Sequence, residues 1–191
     1  NFNKESEFFS DDMVDYVKEY VDTVIEKINA AEAADPAAAS MVEERLNFSR
    51  WVPGGFGTGD AVIISDGILE ICDLKYGKGV PVPAEGNTQM QLYALGAIDT
   101  YGCLYDFDKV RMTIIQPRNG GVSEQTMSVE DLLAWGESVK PIAQLAIKGE
   151  GEYKAGEHCR FCKAACRCKE LRDYNLRMAQ LEFKDANLLT D

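Results

Sequence analysis

The chain has 191 residues, a hydrophobic fraction of 46% and a formal net charge of −12, a composition that suits a globular domain with a substantial core. No apolar run approaches bilayer length and no signal peptide is visible, so no membrane partner is expected. The acidity excludes nonspecific nucleic-acid affinity over the whole surface. The charge is uneven, however. Residues 1–46 hold twelve acidic against four basic residues, and residues 154–178 hold seven basic against three acidic. A local basic face near the C-terminal cysteines stands beside the plainer reading of solvated helix faces.

Met13, Val14, Val17, Tyr20, Val21, Val24, Ile25 and Ile28 recur at helical spacing and predict an amphipathic helix over residues 11–31. The Ala-rich stretch from Ala30 to Ala39, interrupted by Pro36, reads as a helix end and connector. Val42 to Phe48 alternates in part and predicts a first strand, followed by a loop over Trp51 to Gly57. Residues 61–72 read as a hairpin, because two β-branched apolar runs flank Asp66-Gly67, where both positions tolerate positive φ.

Gly77 to Gly86 reads as an exposed Gly/Pro-rich loop. Asn87 or Thr88 caps a helix running to Thr100, with Gly102 as its stop. Lys109 to Gln116 predicts a strand, and Asn119-Gly120-Gly121 a turn into another short one. Ser128-Val129-Glu130-Asp131 resembles a capping box opening a helix to Lys148, bent or broken near Pro141. The tail from Cys159 to Leu189 is cysteine-rich and then helical. This order implies an α/β domain whose mixed central β-sheet is flanked by helices. A single domain is expected over 1–191, with its core over 40–150 and a cysteine-rich C-terminal extension over 151–191.

The hairpin carries the chemistry. Folding it would bring Asp60 and Asp73 together at one end of a sheet, with Lys75 on the same face as Asp73. Carboxylates among Val and Ile are costly unless paired or metal-bound, although hairpin-end surface residues would satisfy the same spacing. Two carboxylates and an ammonium suit Mg²⁺ or Mn²⁺ with a phosphate. Asp60, Asp73 and the main-chain carbonyl of Leu74 would bind the cation, and Lys75 would orient water or stabilise charge on the phosphate. The glycines around Phe56 are no nucleotide loop, since a strand follows where a helix is required.

Gly57 to Asp60, then Asp73-Leu74-Lys75, then Gln89 to Tyr93 on a following helix resemble, in order and spacing, the PD-(D/E)XK nucleases of the RecB-like exonuclease group. The likeness is closest to a phage and prophage family with a C-terminal cysteine cluster, and covers residues 40 to 170. The resemblance implies a restriction-endonuclease-like core and a metal-dependent DNA exonuclease, or related nuclease, acting in phage recombination or DNA processing. It makes Asp60 and Asp73 metal ligands, Lys75 catalytic, and has Gln89 and Tyr93 contact the DNA backbone or steady the site; the alternative for the last two is ordinary helix packing, which is favoured for Tyr93 taken alone. DNA and a phage recombination protein are the implied partners, in the cytoplasm of a bacterium or phage-infected cell.

The group also places a His or Glu on an upstream helix. The only histidine is His158, far downstream. Glu19 or Glu26 would substitute, but nothing selects either; the chain begins at Asn1 without Met, and the motif is expected upstream of it.

Cys159, Cys162, Cys166 and Cys168 lie within ten residues, which favours metal binding in a reducing compartment. Compact Cys₄ sites usually hold Zn²⁺. The resemblance implies instead a [4Fe-4S] cluster on Cys159, Cys162 and Cys168, with Cys166 or an upstream cysteine as the fourth ligand. Cys72 and Cys103 are expected to be buried thiols. Two other functions remain open: a catalytically inactive nuclease-fold module that holds DNA or a partner, and a zinc-stabilised interaction domain.

Overall fold

The computed structural model describes residues 9–184. Its elements follow the order α1 (Asp11–Ala34), β1 (Ala39–Asn47), β2 (Phe56–Ser65), β3 (Ile68–Leu74), α2 (Thr88–Tyr101), β4 (Lys109–Gln116), β5 (Gly121–Ser128), α3 (Val129–Lys148) and α4 (Lys169–Glu182). The described residues divide into two compact units, one up to Ile147 and one from Lys148 onward. The expected helical tail is seen as α4, and its stretch beyond residue 184 lies outside the described residues.

In the first unit a five-stranded sheet has the order β1-β2-β3-β4-β5. Its neighbours are antiparallel except β3 and β4, which run parallel through the α2 crossover. The fold is therefore α/β with a mixed sheet flanked by helices. On one face Val62, Ile64, Leu69, Ile71, Val110, Met112 and Ile114 pack with Met90, Ala94 and Leu95 of α2 and Leu132 of α3. On the other face Ala61, Ile63, Cys72 and Ile115 pack against Val24, Tyr20 and Ile28 of α1. Alternation along each strand thus serves two cores, which is why β2 and β3 are apolar on both faces.

Between α1 and the sheet sits the buried carboxylate of Glu70, which is 5% exposed. Lys27 Nζ approaches it to 2.7 Å and Arg111 Nη1 to 3.2 Å, and Thr113 Oγ1 donates to it at 2.7 Å. Lys27 also pairs with Glu124 of β5. A buried charge with three donors is satisfied, and this network ties α1 to β3, β4 and β5.

Local chemistry sets the boundaries. Asp66 and Gly67 take φ of 47° and 73°, the left-handed pair that a tight hairpin turn requires. Asn87, of the two caps offered, accepts a hydrogen bond from Met90 N at 3.1 Å. Ser128 Oγ accepts from Asp131 N at 3.0 Å and opens α3. Helix α3 runs unbroken through Pro141; the proline removes one backbone donor while the turns on either side hold. β1 starts at Ala39, inside the expected connector. Cys72 is buried as expected, but Cys103 is exposed, because it falls in the turn after α2 rather than in an apolar element.

Candidate functional site where β3 ends beside β2

The β2–β3 register runs from Ser65↔Ile68 to Ala61↔Cys72, and its continuation sets Asp60 opposite Asp73. Instead of extending the ladder, Asp60 turns its carboxylate onto the main chain: Leu74 N donates to Asp60 Oδ2 at 2.6 Å. Leu74 therefore meets Asp60 through its amide. Lys75 N donates to Ile115 O at 2.9 Å and carries the β3–β4 pairing one residue past the strand. The site so lies at the C-terminal ends of the two parallel strands, the usual place for ligands in open α/β sheets.

Alternation points Asp73 and Lys75 toward α2. Asp73 is 4% exposed, and Lys75 Nζ lies 2.6 Å from its Oδ2. This is a close, charge-assisted contact, and the Lys75 ammonium is the partner of that buried oxygen. Lys75 Nζ donates to Gln89 Oε1 at 2.9 Å, and Gln89 Nε2 donates to Tyr93 Oη at 3.0 Å and to Asp73 Oδ1 at 3.4 Å. Gln89 and Tyr93 share a helix face four residues apart, so the motif on α2 closes onto the motif on β3.

Tyr93 reaches this position because Gly57 has no side chain. A Cβ there would lie 2.3 Å from Cε1 of the Tyr93 ring. The ring also packs beside Phe48, with centroids 6.3 Å apart.

Burial pushes the Asp73 carboxyl above the usual carboxylate range, the Lys75 ammonium opposes this, and the Asp60 charge adds to it. The same two carboxylates act on α1. Burial raises the Tyr20 phenol well above its ordinary value, and Asp60, Cys72, Asp73 and Glu43 add to the shift, so Tyr20 stays a neutral hydroxyl.

Five of the expected residues, Asp60, Asp73, Lys75, Gln89 and Tyr93, are thus gathered in one place. Glu19 and Glu26 are exposed on α1, and the helix presents Tyr20 near the pair instead. In the sequence Tyr20 is one residue of an apolar helix face. Glu43 was also missed. It falls opposite Asp60 between the pairs Val42↔Ala61 and Glu44↔Gly59, and holds a left-handed φ of 55°, which is costly for a glutamate. No sequence pattern signals that conformation.

Two carboxylates at one end of the sheet are hard oxygen donors that suit a divalent cation, and here Asp60 is engaged by Leu74 N and Asp73 by Lys75 Nζ. Among the described residues no three His, Cys, Asp or Glu side chains form a group that could hold a metal ion.

In the second unit Cys159 and Cys166 lie in two short 3-10 turns, Glu157–Phe161 and Ala165–Arg167, Cys162 directly follows the first turn, and Cys168 directly precedes α4. All are free thiols; Cys159 and Cys168 are half-buried and Cys162 and Cys166 exposed. Cys162 N donates to Cys159 O at 3.2 Å and Gly156 N to Cys159 Sγ at 3.5 Å.

A family model described as "Protein of unknown function (DUF2800)" matches residues 1–191. The chain belongs to this family. Among solved structures, the DUF2800 chain is similar to one described as the crystal structure of SSO0001, at 13% identity and a TM-score of 0.39, over 83% of this chain and 69% of that one.

Proposed function

We propose that this protein is a metal-dependent DNA nuclease of the PD-(D/E)XK type, in the RecB-like exonuclease group, hydrolysing phosphodiester bonds in phage-type recombination or DNA processing. The observation that carries the reading is the chain of contacts from Asp73 through Lys75 and Gln89 to Tyr93. Three short motifs that match the group only in order and spacing meet as one cluster of side chains, which independent strand-end and helix-surface residues would have no reason to do.

In this reading Asp60 and Asp73 hold Mg²⁺ or Mn²⁺, with the Leu74 carbonyl as a further ligand. The cation would supply Lewis-acid activation of the attacking water and neutralise charge on the phosphate. The chain's own residues do the rest. Lys75 is held between Asp73 and Gln89, so its ammonium is poised to stabilise charge developing on the scissile phosphate. Gln89, fixed by Tyr93, gives the Lys75 ammonium a second fixed partner beside Asp73.

The Cys159, Cys162, Cys166 and Cys168 group is proposed to hold a [4Fe-4S] cluster or Zn²⁺ as a staple of the C-terminal unit, with cytoplasmic DNA and a phage recombination protein as partners. Elemental analysis and the visible absorption spectrum of anaerobically purified protein separate the two metals, and a protein with neither removes this part of the reading.

The test of the main reading uses the full chain with Mg²⁺ or Mn²⁺ on linear single- and double-stranded DNA. Metal-dependent degradation that disappears in Lys75→Ala and Asp73→Asn is expected. No degradation of any DNA form, with Lys75→Ala indistinguishable from the parent, refutes it. A second reading, a nuclease-fold module that binds DNA or a partner without cutting, is favoured by one observation: α1 brings a neutral tyrosine, Tyr20, toward the carboxylates where the group carries an acid or histidine ligand. Metal-dependent binding without turnover would select it.

A further inference from the structure

Beside this site stands a strong cation without an anion. Arg118 follows β4 by two residues, and its guanidinium lies over two tyrosine rings, 4.7 Å from the centroid of Tyr76 and 5.8 Å from that of Tyr16. The rings meet each other edge to face, with centroids 6.5 Å apart. Its Nε is sealed from solvent and has no hydrogen-bond partner. No ion pair or hydrogen bond of Arg118 occurs among the described residues. The sequence contains 32 Asp and Glu residues, so an arginine left without a carboxylate is not explained by a shortage of acids.

Its position gives the reason. Tyr76 directly follows Lys75, and alternation sends Lys75 toward Gln89 of α2 and Tyr76 toward Tyr16 of α1. Tyr20, one helical turn from Tyr16, feels the charges of Asp60 and Asp73. Arg118 therefore lies at the same end of the sheet as the carboxylate pair, on its α1 side.

We propose that Arg118 is a substrate-binding residue that takes a backbone phosphate of the DNA next to the one meeting Lys75; this rests on the nuclease reading. The two rings hold the guanidinium plane by cation–π contact and leave its terminal nitrogens as donors with no intramolecular acceptor. A planar fork of that kind suits two phosphate oxygens at once. In a protein of net charge −12, which repels a polyanion at long range, a fixed local cation is what brings a strand to the carboxylates.

The experiment measures binding of labelled single- and double-stranded oligonucleotides to the full chain across a range of salt, in the Asp73→Asn background so that no strand is cut. Arg118→Gln should weaken binding roughly tenfold at 0.1 M salt, the loss of one charge-assisted contact. It should also make the slope of log K against log salt shallower by about 0.7–0.9, one phosphate contact. Arg118→Met, which keeps an apolar chain against the rings, gives the same reading should the Gln variant fail to fold. Arg118→Lys should keep the slope, and Lys140→Gln on α3 should change neither quantity. An unchanged slope in the neutral variants overturns the assignment even if affinity falls, because a merely structural residue would act in that way while the nuclease reading survives. A parent protein that binds neither DNA form overturns both.

Discussion

Replacing Lys75 by methionine removes the one ammonium that offsets the burial of Asp73. In the parent, Asp73 is 4% exposed and its Oδ2 has Lys75 Nζ at 2.6 Å as its partner. Breaking a fully buried ion pair costs about 3–5 kcal/mol. The Lys75 side chain is 26% exposed, so solvent already screens part of the attraction, and about 2 kcal/mol is the expected loss. For a unit of this size that lowers Tm by about 4–8 °C. The loss has a pH signature. The Asp73 carboxyl already lies above the usual carboxylate range, and losing Lys75 raises it further. A carboxyl whose folded pKa is raised destabilises fully above that pKa, and the penalty fades as pH falls through it. The deficit of Lys75→Met should therefore be large at pH 8 and smaller at pH 5. Both tryptophans, Trp51 and Trp135, belong to the core of the first unit, so tryptophan fluorescence follows its melting alone. The double variant Asp73→Asn/Lys75→Met should recover most of the loss. A deficit equal at both pH values, or no recovery in the double variant, would show that the pair is not the source of the effect.

If the proposed nuclease reading holds, Gly57→Ala should cut the activity on the order of 100-fold, since displacing Tyr93 by about 1 Å disturbs Gln89 and Lys75 in turn; circular dichroism should show the fold intact, and steady-state rates on linear DNA check the loss. Lys27→Met, which leaves Glu70 with Arg111 and Thr113 only, should cost about 2–3 kcal/mol by urea denaturation, and Lys27→Met/Glu70→Leu should recover it. The hydrogen bond and charge of Lys27 hold the Glu124 carboxyl below its ordinary value. Its contribution is thus present above the usual glutamate pKa and lost as pH falls through the lowered folded value. Melting between pH 6 and pH 3 should accordingly lose less stability in Glu124→Gln than in the parent.

The sequence made the hairpin legible because Asp66-Gly67 sits between two apolar runs, and only one register then sets Asp60 across from Asp73. That Gln89 and Tyr93 share a helix face was legible too, from their four-residue spacing, but the contact of Gln89 with Lys75 was not, because it depends on how α2 packs on the sheet. What escaped was set by tertiary packing. Tyr20 looks like any residue of an apolar helix face, and its nearness to the carboxylates depends on how α1 lies on the sheet. Glu43 adopts a conformation its residue type disfavours, so local propensity points away from it. Cys103 was misjudged for the opposite reason: its neighbours are apolar, but a turn lifts it into solvent. The proline in α3 shows the limit of a local rule, since one lost donor does not break a helix whose first turns are capped and packed.

The kink at Glu43 has a consequence away from the catalytic question. β1 is an edge of the sheet, and its outer row of N–H and C=O groups is a template on which another chain could grow. The left-handed residue at position 43 splits that row into Ala39–Val42 and Glu44–Asn47, each too brief to recruit a stranger's strand with conviction. A departure from regular pleating beside the carboxylates thereby doubles as a guard against fibril-like stacking, and straightening it would remove the guard.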